Sequence, residues 1–188
     1  SMEIANGIVK ISNDKKNNLK KTIKTFFLFF MIGSIVGWIY EVIFYLIQDH
    51  QFYNRGFLYG PYLPIYGYGT VLMILFLKKF KNNIFILFIM AVLISGILEY
   101  ATGMIMWQIW HQKWWDYTGL FLNIDGFVCL RSVVSFGIAG TFLISVVEPF
   151  LMKIYNNFQG NIINLLFYGL SIVFLIDNII TFIFRHPI

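Results

Sequence analysis

Glu41, Glu99, Arg131 and Asp177 are the residues whose chemistry stands out, because each interrupts an otherwise apolar run. An ionisable group in hydrocarbon is costly and marks either a partner or a purpose. Three carboxylates against one guanidinium sum to −2 when all are ionised. Desolvation and repulsion then raise at least one carboxylate pKa, or a cation or water must enter. The plainer expectation is structural, with Arg131 answering one or two acids to lock the helices in register. The sharper one is a pocket for a small-molecule or ion ligand. Glu41 and Glu99 could also act as an acid and base pair if one were kept protonated.

Spacing gives these groups a direction. Gly33, Gly37 and Glu41 repeat at i, i+4, so the carboxylate rides on a close-packing GxxxG face, one that would also allow a homo-oligomer. Gly96, Glu99 and Gly103 form a second such stripe, Arg131 shares its face with Ser135 and Ile138, and Asp177 with Thr181. Counted along their segments, all four groups fall in the outer part of a membrane, which predicts one outward-facing pocket.

The elements that must hold them are transmembrane. The 188 residues are 59% hydrophobic, 20% aromatic and only 12% charged, which excludes both an ordinary soluble domain and a disordered chain. Five apolar segments of about 20 residues are expected, at 25–47, 63–80, 84–110, 127–152 and 162–184. The fold class is therefore an all-α polytopic bundle of five spans. Lys10, Lys15, Lys16, Lys20, Lys21 and Lys24 precede the first span, Lys78, Lys79 and Lys81 follow the second, and Lys153 follows the fourth. Ten cations against Arg55, Lys113 and Arg185 on the other face place the N-terminus in the cytoplasm and the C-terminus outside. Residues 1–24 read as a basic cytoplasmic tail, irregular at first with an interfacial helix near Leu19, and residues 25–188 as a single transmembrane domain. Ser1 ahead of Met2 reads as an appended residue. No cleavable leader is expected, because the first span is too long for a signal-peptide core. The tail has no aromatic residues to stack on bases, so its expected neighbour is the lipid bilayer and not nucleic acid.

Two connections look specialised. From Gly56 to Gly69 the chain reads GFLYGPYLPIYGYG, too rich in Gly and Pro for a regular helix. It is expected to enter the second span as an extended segment, with a helix starting near Pro64 or Tyr66, and non-helical backbone at that depth survives only against protein or water. Tyr59 and Tyr66 would line the pocket rim. Between the third and fourth spans lie Trp107, Trp110, Trp114 and Trp115, with Asp116, Asn123 and Asp125 adding oxygens. This is either an aromatic belt at the headgroups or a lid, in which Trp114, Trp115, Asp116 and Asn123 contact the solute. No catalytic residue, metal site or cofactor is assigned. His50, His111 and His186 are isolated, Cys129 has no adjacent base, and no phosphate-binding GxxxxGK[ST] pattern occurs.

Three blocks resemble a bacterial membrane family catalogued as putative ABC-transporter type IV. They are Gly37-Trp38-Ile39-Tyr40-Glu41, then Arg55-Gly56-Phe57-Leu58-Tyr59-Gly60-Pro61 continuing through Pro64-Ile65-Tyr66-Gly67, and Trp114-Trp115-Asp116-Tyr117 with Asn123-Ile124, Gly126 and Cys129-Leu130. Glu99-Tyr100 lies between them as in the family. One position departs: the family tends to carry a basic residue directly after Gly126, where this chain has Phe127, with Arg131 one helical turn on. The resemblance implies a permease of the bacterial cytoplasmic membrane working with a separate ATPase subunit. The expected function is thus a permease-like or solute-binding membrane protein. The alternatives are a membrane-embedded enzyme acting on a lipid-linked or small polar substrate, and a non-catalytic assembly protein.

Overall fold

The computed structural model describes residues 2–158 and 160–185; Ser1 and His186 lie outside them. Every regular element among the described residues is helical: α1 Met2–Asp49, α2 Pro64–Leu77, α3 Ile84–Trp110, α4 Leu130–Phe142, α5 Glu148–Asn157 and α6 Gly160–Phe184. A 3-10 turn, Lys78–Phe80, follows α2, and a π-helical turn, Leu143–Val147, joins α4 to α5. Pro149 supplies a reason for that wider turn, since it has no N–H to offer the carbonyl of Ser145 and its ring crowds that carbonyl.

Among the described residues four stretches are long and apolar enough to cross a membrane, namely Asn6–Asp49, Ile84–Trp110, Leu130–Asn157 and Gly160–Phe184. The expected second span is the exception. At 14 residues α2 covers about 21 Å, short of a hydrocarbon core of about 30 Å. The tail also differs from expectation: helix runs unbroken from Met2 into the first span. The stretch 8–24 contains no Gly or Pro and is rich in Lys, a good helix former, so nothing local interrupts the helix.

The chain forms two compact units. One comprises the chain up to Val71 together with the part from Phe158 onward, and the other is Leu72–Asn157. In the first, Phe30, Met31, Leu58 and Tyr62 make the buried cluster, with Phe27, Val71, Leu170 and Phe174 packed around it. The GxxxG face of α1 is spent inside this unit. A Cβ on Gly33 would lie 2.3 Å from Thr70 Oγ1, and one on Gly37 would lie 2.2 Å from Tyr66 Cγ. α2 therefore sits on the surface that the spacing suggested for a second copy of the chain. In the second unit, α3 and α4 pack through small residues: Gly137 faces Val92 and Phe88, Gly96 faces Val133, and Gly140 faces Ala91 and Leu77.

Replacing Gly37 with Leu should overpack the contact with Tyr66 and cost about 1–3 kcal/mol. Gly69→Ala, where a Cβ meets nothing within 4 Å, should be neutral or slightly stabilising. Thermal unfolding of the two variants in detergent checks the contrast.

Candidate functional site

Asp177 lies seven residues before the end of α6 and is buried. Its Oδ1 accepts the backbone N–H of Tyr59 at 3.0 Å and the hydroxyl of Thr181 at 2.9 Å. Its Oδ2 accepts the N–H of Gly60 at 2.8 Å and the hydroxyl of Tyr62. Four donors thus surround one carboxylate, and two of them are amides of the Gly/Pro segment that have no helical partner. Three further bonds tie this segment to α1: Leu63 N–H donates to Ser34 O, Trp38 Nε1 donates to Asn54 Oδ1, and Asn54 Nδ2 donates to the carbonyl of Tyr59, each at 2.9 Å. Gly56 turns the chain with a φ of 93°, in the left-handed region that favours glycine.

Glu41, half-buried on α1, has Arg55 as its cation, with Nε 3.7 Å from Oε2. The guanidinium also stacks over the ring of Tyr45 at 4.2 Å. At 3.7 Å the pair attracts without a hydrogen bond, and Arg55 Nε has no hydrogen-bond partner. Arg55 entered the sequence argument only as an outer-face charge; its place directly before Gly56, in a block shared with the family, was the signal available for it.

Glu99 belongs to the second unit and has a different environment. Tyr117 OH donates to Oε1 at 2.8 Å, and Ser132 Oγ lies 2.7 Å from Oε2. Ser132 is in the first turn of α4, where it also accepts the N–H of Cys129 at 3.2 Å, so the carboxylate stands near the positive end of that helix. Burial, then the hydrogen bond to Glu99, pushes the Tyr117 hydroxyl well above its usual range and keeps it a donor at neutral pH. Arg131 is exposed, and among the described residues neither it nor Glu99 forms an ion pair.

The loop 111–129 positions Tyr117, and its other polar groups mostly serve the loop itself. Trp115 Nε1 donates to Phe127 O at 2.8 Å, and Asn123 Oδ1 accepts the N–H of Gly126 at 3.2 Å. Lys113 Nζ donates to Asp125 O at 2.8 Å. The Thr118 hydroxyl and N–H, helped by Lys113, hold the Asp116 carboxyl below the ordinary range. A Cβ on Gly126, whose φ is 72°, would come within 2.5 Å of Asp116 Oδ1, so this turn needs glycine. Trp114 stays exposed and stacks on Trp110, with centroids 6.4 Å apart. Tyr59 and Tyr66 are largely exposed in the first unit, and Tyr66 packs on Gly37, one turn before Glu41. Among the described residues no three His, Cys, Asp or Glu side chains gather as a metal site requires.

One ionic contact was missed altogether. Glu148, the first residue of α5, is buried and pairs with Lys78 at 2.8 Å. Its only mark in sequence is an acid beside Pro149 near the end of an apolar run.

A family model described as putative ABC-transporter type IV matches residues 28–182. No curated protein and no solved structure matches the chain.

Asp177→Asn would turn an amide NH₂ towards donors that now meet a carboxylate oxygen. Stranding one buried donor costs about 1–3 kcal/mol. The variant should melt earlier than the parent and be cut faster by protease within 56–63, whereas Leu175→Met on the exposed face of α6 should change neither.

Proposed function

Since the chain belongs to the putative ABC-transporter type IV family, we propose that it is a permease-like or solute-binding component of a bacterial cytoplasmic-membrane transport system. The observation that carries this is Glu99. It is a carboxylate within an apolar helix, met by two hydroxyls and by no cation among the described residues. Neutral donors orient the group without discharging it, which leaves the charge available to a bound cation, a proton or a donor group of a solute. Arg131, one residue before Ser132 and exposed, would receive the opposite end of a dipolar solute. Glu41 with Arg55, Tyr59 and Tyr66 are further solute-facing candidates, and Trp114, Trp115, Asp116 and Asn123 belong to the loop that would cover the site.

In this proposal the molecule lies with its N-terminus in the cytoplasm and its C-terminus outside, following the lysine distribution. The short α2, preceded by the Gly/Pro segment, completes the five-segment arrangement. Energy would come from a separate ATPase subunit, as the family name implies, reaching the chain at the lysine-bearing ends around Lys78 and Lys153. A homo-oligomer would have to use a face other than Gly33 and Gly37, which α2 covers.

The test is a thermal-shift screen of the detergent-purified protein against amino acids, sugars, polyamines, organic acids and divalent cations. At least one class should raise the Tm of the parent protein. Glu99→Gln and Arg131→Gln should each abolish that shift while their ligand-free Tm stays within about 2 °C of the parent, under about 1 kcal/mol for a chain of this size. A panel with no stabilising class, combined with a large fall in ligand-free Tm for Glu99→Gln, would assign the charge to helix packing instead.

A further inference from the structure

One cavity in the first unit has walls that are almost entirely carbon. It is a groove of about 450 Å³ between the Gly/Pro segment and α6, walled by Tyr59, Pro61 and Tyr62 on one side and by Val173, Ile176 and Ile180 on the other. The volume is that of an ordinary ligand site. Asp177 also borders it, but that carboxylate is buried and already accepts four hydrogen bonds. A polar solute entering the groove would therefore meet carbon.

Arg185 lies at one end. It follows the last residue of α6 directly, and its Nη1 donates to the carbonyls of Phe57 at 2.7 Å and Leu58 at 3.3 Å while the guanidinium stacks over the Tyr59 ring at 5.3 Å. These contacts use one nitrogen and leave Nη2 and Nε to bind in the forked geometry that suits phosphate. Among the described residues Arg185 meets no carboxylate. From Arg185 back to Val173 is twelve residues, about 18 Å at helical rise. One leaflet contributes about half of a hydrocarbon core of about 30 Å, so the groove and its cation match one leaflet in depth.

We propose that this groove binds one acyl chain of an anionic phospholipid, with the lipid phosphate held by Arg185. The carbon walls select a chain, and the guanidinium at the helix end selects the headgroup charge. The site uses none of the groups that meet Glu99, and its fate leaves the transport proposal untouched.

Native mass spectrometry of the purified protein, exchanged with an equimolar mixture of palmitoyl-oleoyl phosphatidylglycerol and phosphatidylcholine, reads both elements. The parent should retain phosphatidylglycerol about fivefold over phosphatidylcholine, the preference expected from one well-placed cation. Arg185→Gln should bring that ratio to about one, and Arg185→Lys should keep most of it. Ile180→Trp, which fills the groove from an exposed position, should lower the retained lipid by one equivalent with helicity and elution volume unchanged. Because Arg185 also braces Phe57 and Leu58, failure of the Gln variant to fold would leave Ile180→Trp to decide alone. Equal retention of the two lipids by the parent, an unchanged preference in a folded Arg185→Gln, or unchanged stoichiometry in Ile180→Trp would each overturn the proposal.

Discussion

A carboxylate inside α6 holds down a stretch of chain that has no helix of its own, and the first unit is organised around that contact. Backbone amides removed from water need partners, and in a chain built to lie in lipid the usual partner is the helix itself. The Gly/Pro segment forgoes that arrangement between Gly56 and Leu63. Asp177 replaces the missing acceptors at Tyr59 and Gly60, and Ser34 O does the same for Leu63. Charge-assisted hydrogen bonds are stronger than neutral ones. A buried carboxylate is therefore a reasonable anchor provided it is surrounded by donors, as this one is.

The three membrane acids singled out by sequence have three different environments, and the differences rank their capacity for chemistry. Asp177 is saturated by four donors and is accounted for by its structural task. Glu41 stands beside Arg55 at a distance that attracts without bonding. Its charge is compensated, but its oxygens keep room for another partner. Glu99 has two hydroxyls and a helix N-terminus, and among the described residues it forms no ion pair. Of the three it alone combines the absence of an ion pair among the described residues with unfilled acceptor capacity, which is why the functional proposal rests there.

Much of the architecture was legible in the sequence because hydropathy and helix punctuation are local. The predicted bounds of α3 coincide with the observed Ile84–Trp110, the start of α2 falls at Pro64, and the blocks that carry the family resemblance, from Gly37 to Leu130, lie inside the family match over 28–182. The shortness of the second helix was legible too: 66–80 covers about 22 Å at helical rise and α2 about 21 Å, because Gly and Pro set where the helix can begin. The helix near Leu19 agrees with expectation, whereas the start of the tail is helical where its polarity suggested irregular chain, because lysine is a good helix former. Partner choice was the least legible layer. Nothing in one-dimensional spacing tells that Asp177 will meet backbone amides, that Arg55 will reach Glu41, or that Lys78 will meet Glu148, since each pairing joins residues brought together only by packing.

The glycines bear on where groups able to bind something polar are found. Lipid is as apolar as leucine, so helices associate in it through close contact and not through hydrophobic burial. Gly33, Gly37 and Gly67 serve that purpose between α1 and α2, and Gly96, Gly137 and Gly140 serve it in the second unit. Close packing uses up these faces, and much of the remaining helix surface is exposed apolar side chains such as Ile97, Leu165 and Phe182. Groups able to bind something polar must then sit where a helix begins, ends or is interrupted. Glu99 beside the start of α4, Arg55 in the turn after α1 and Arg185 just past α6 all satisfy that condition.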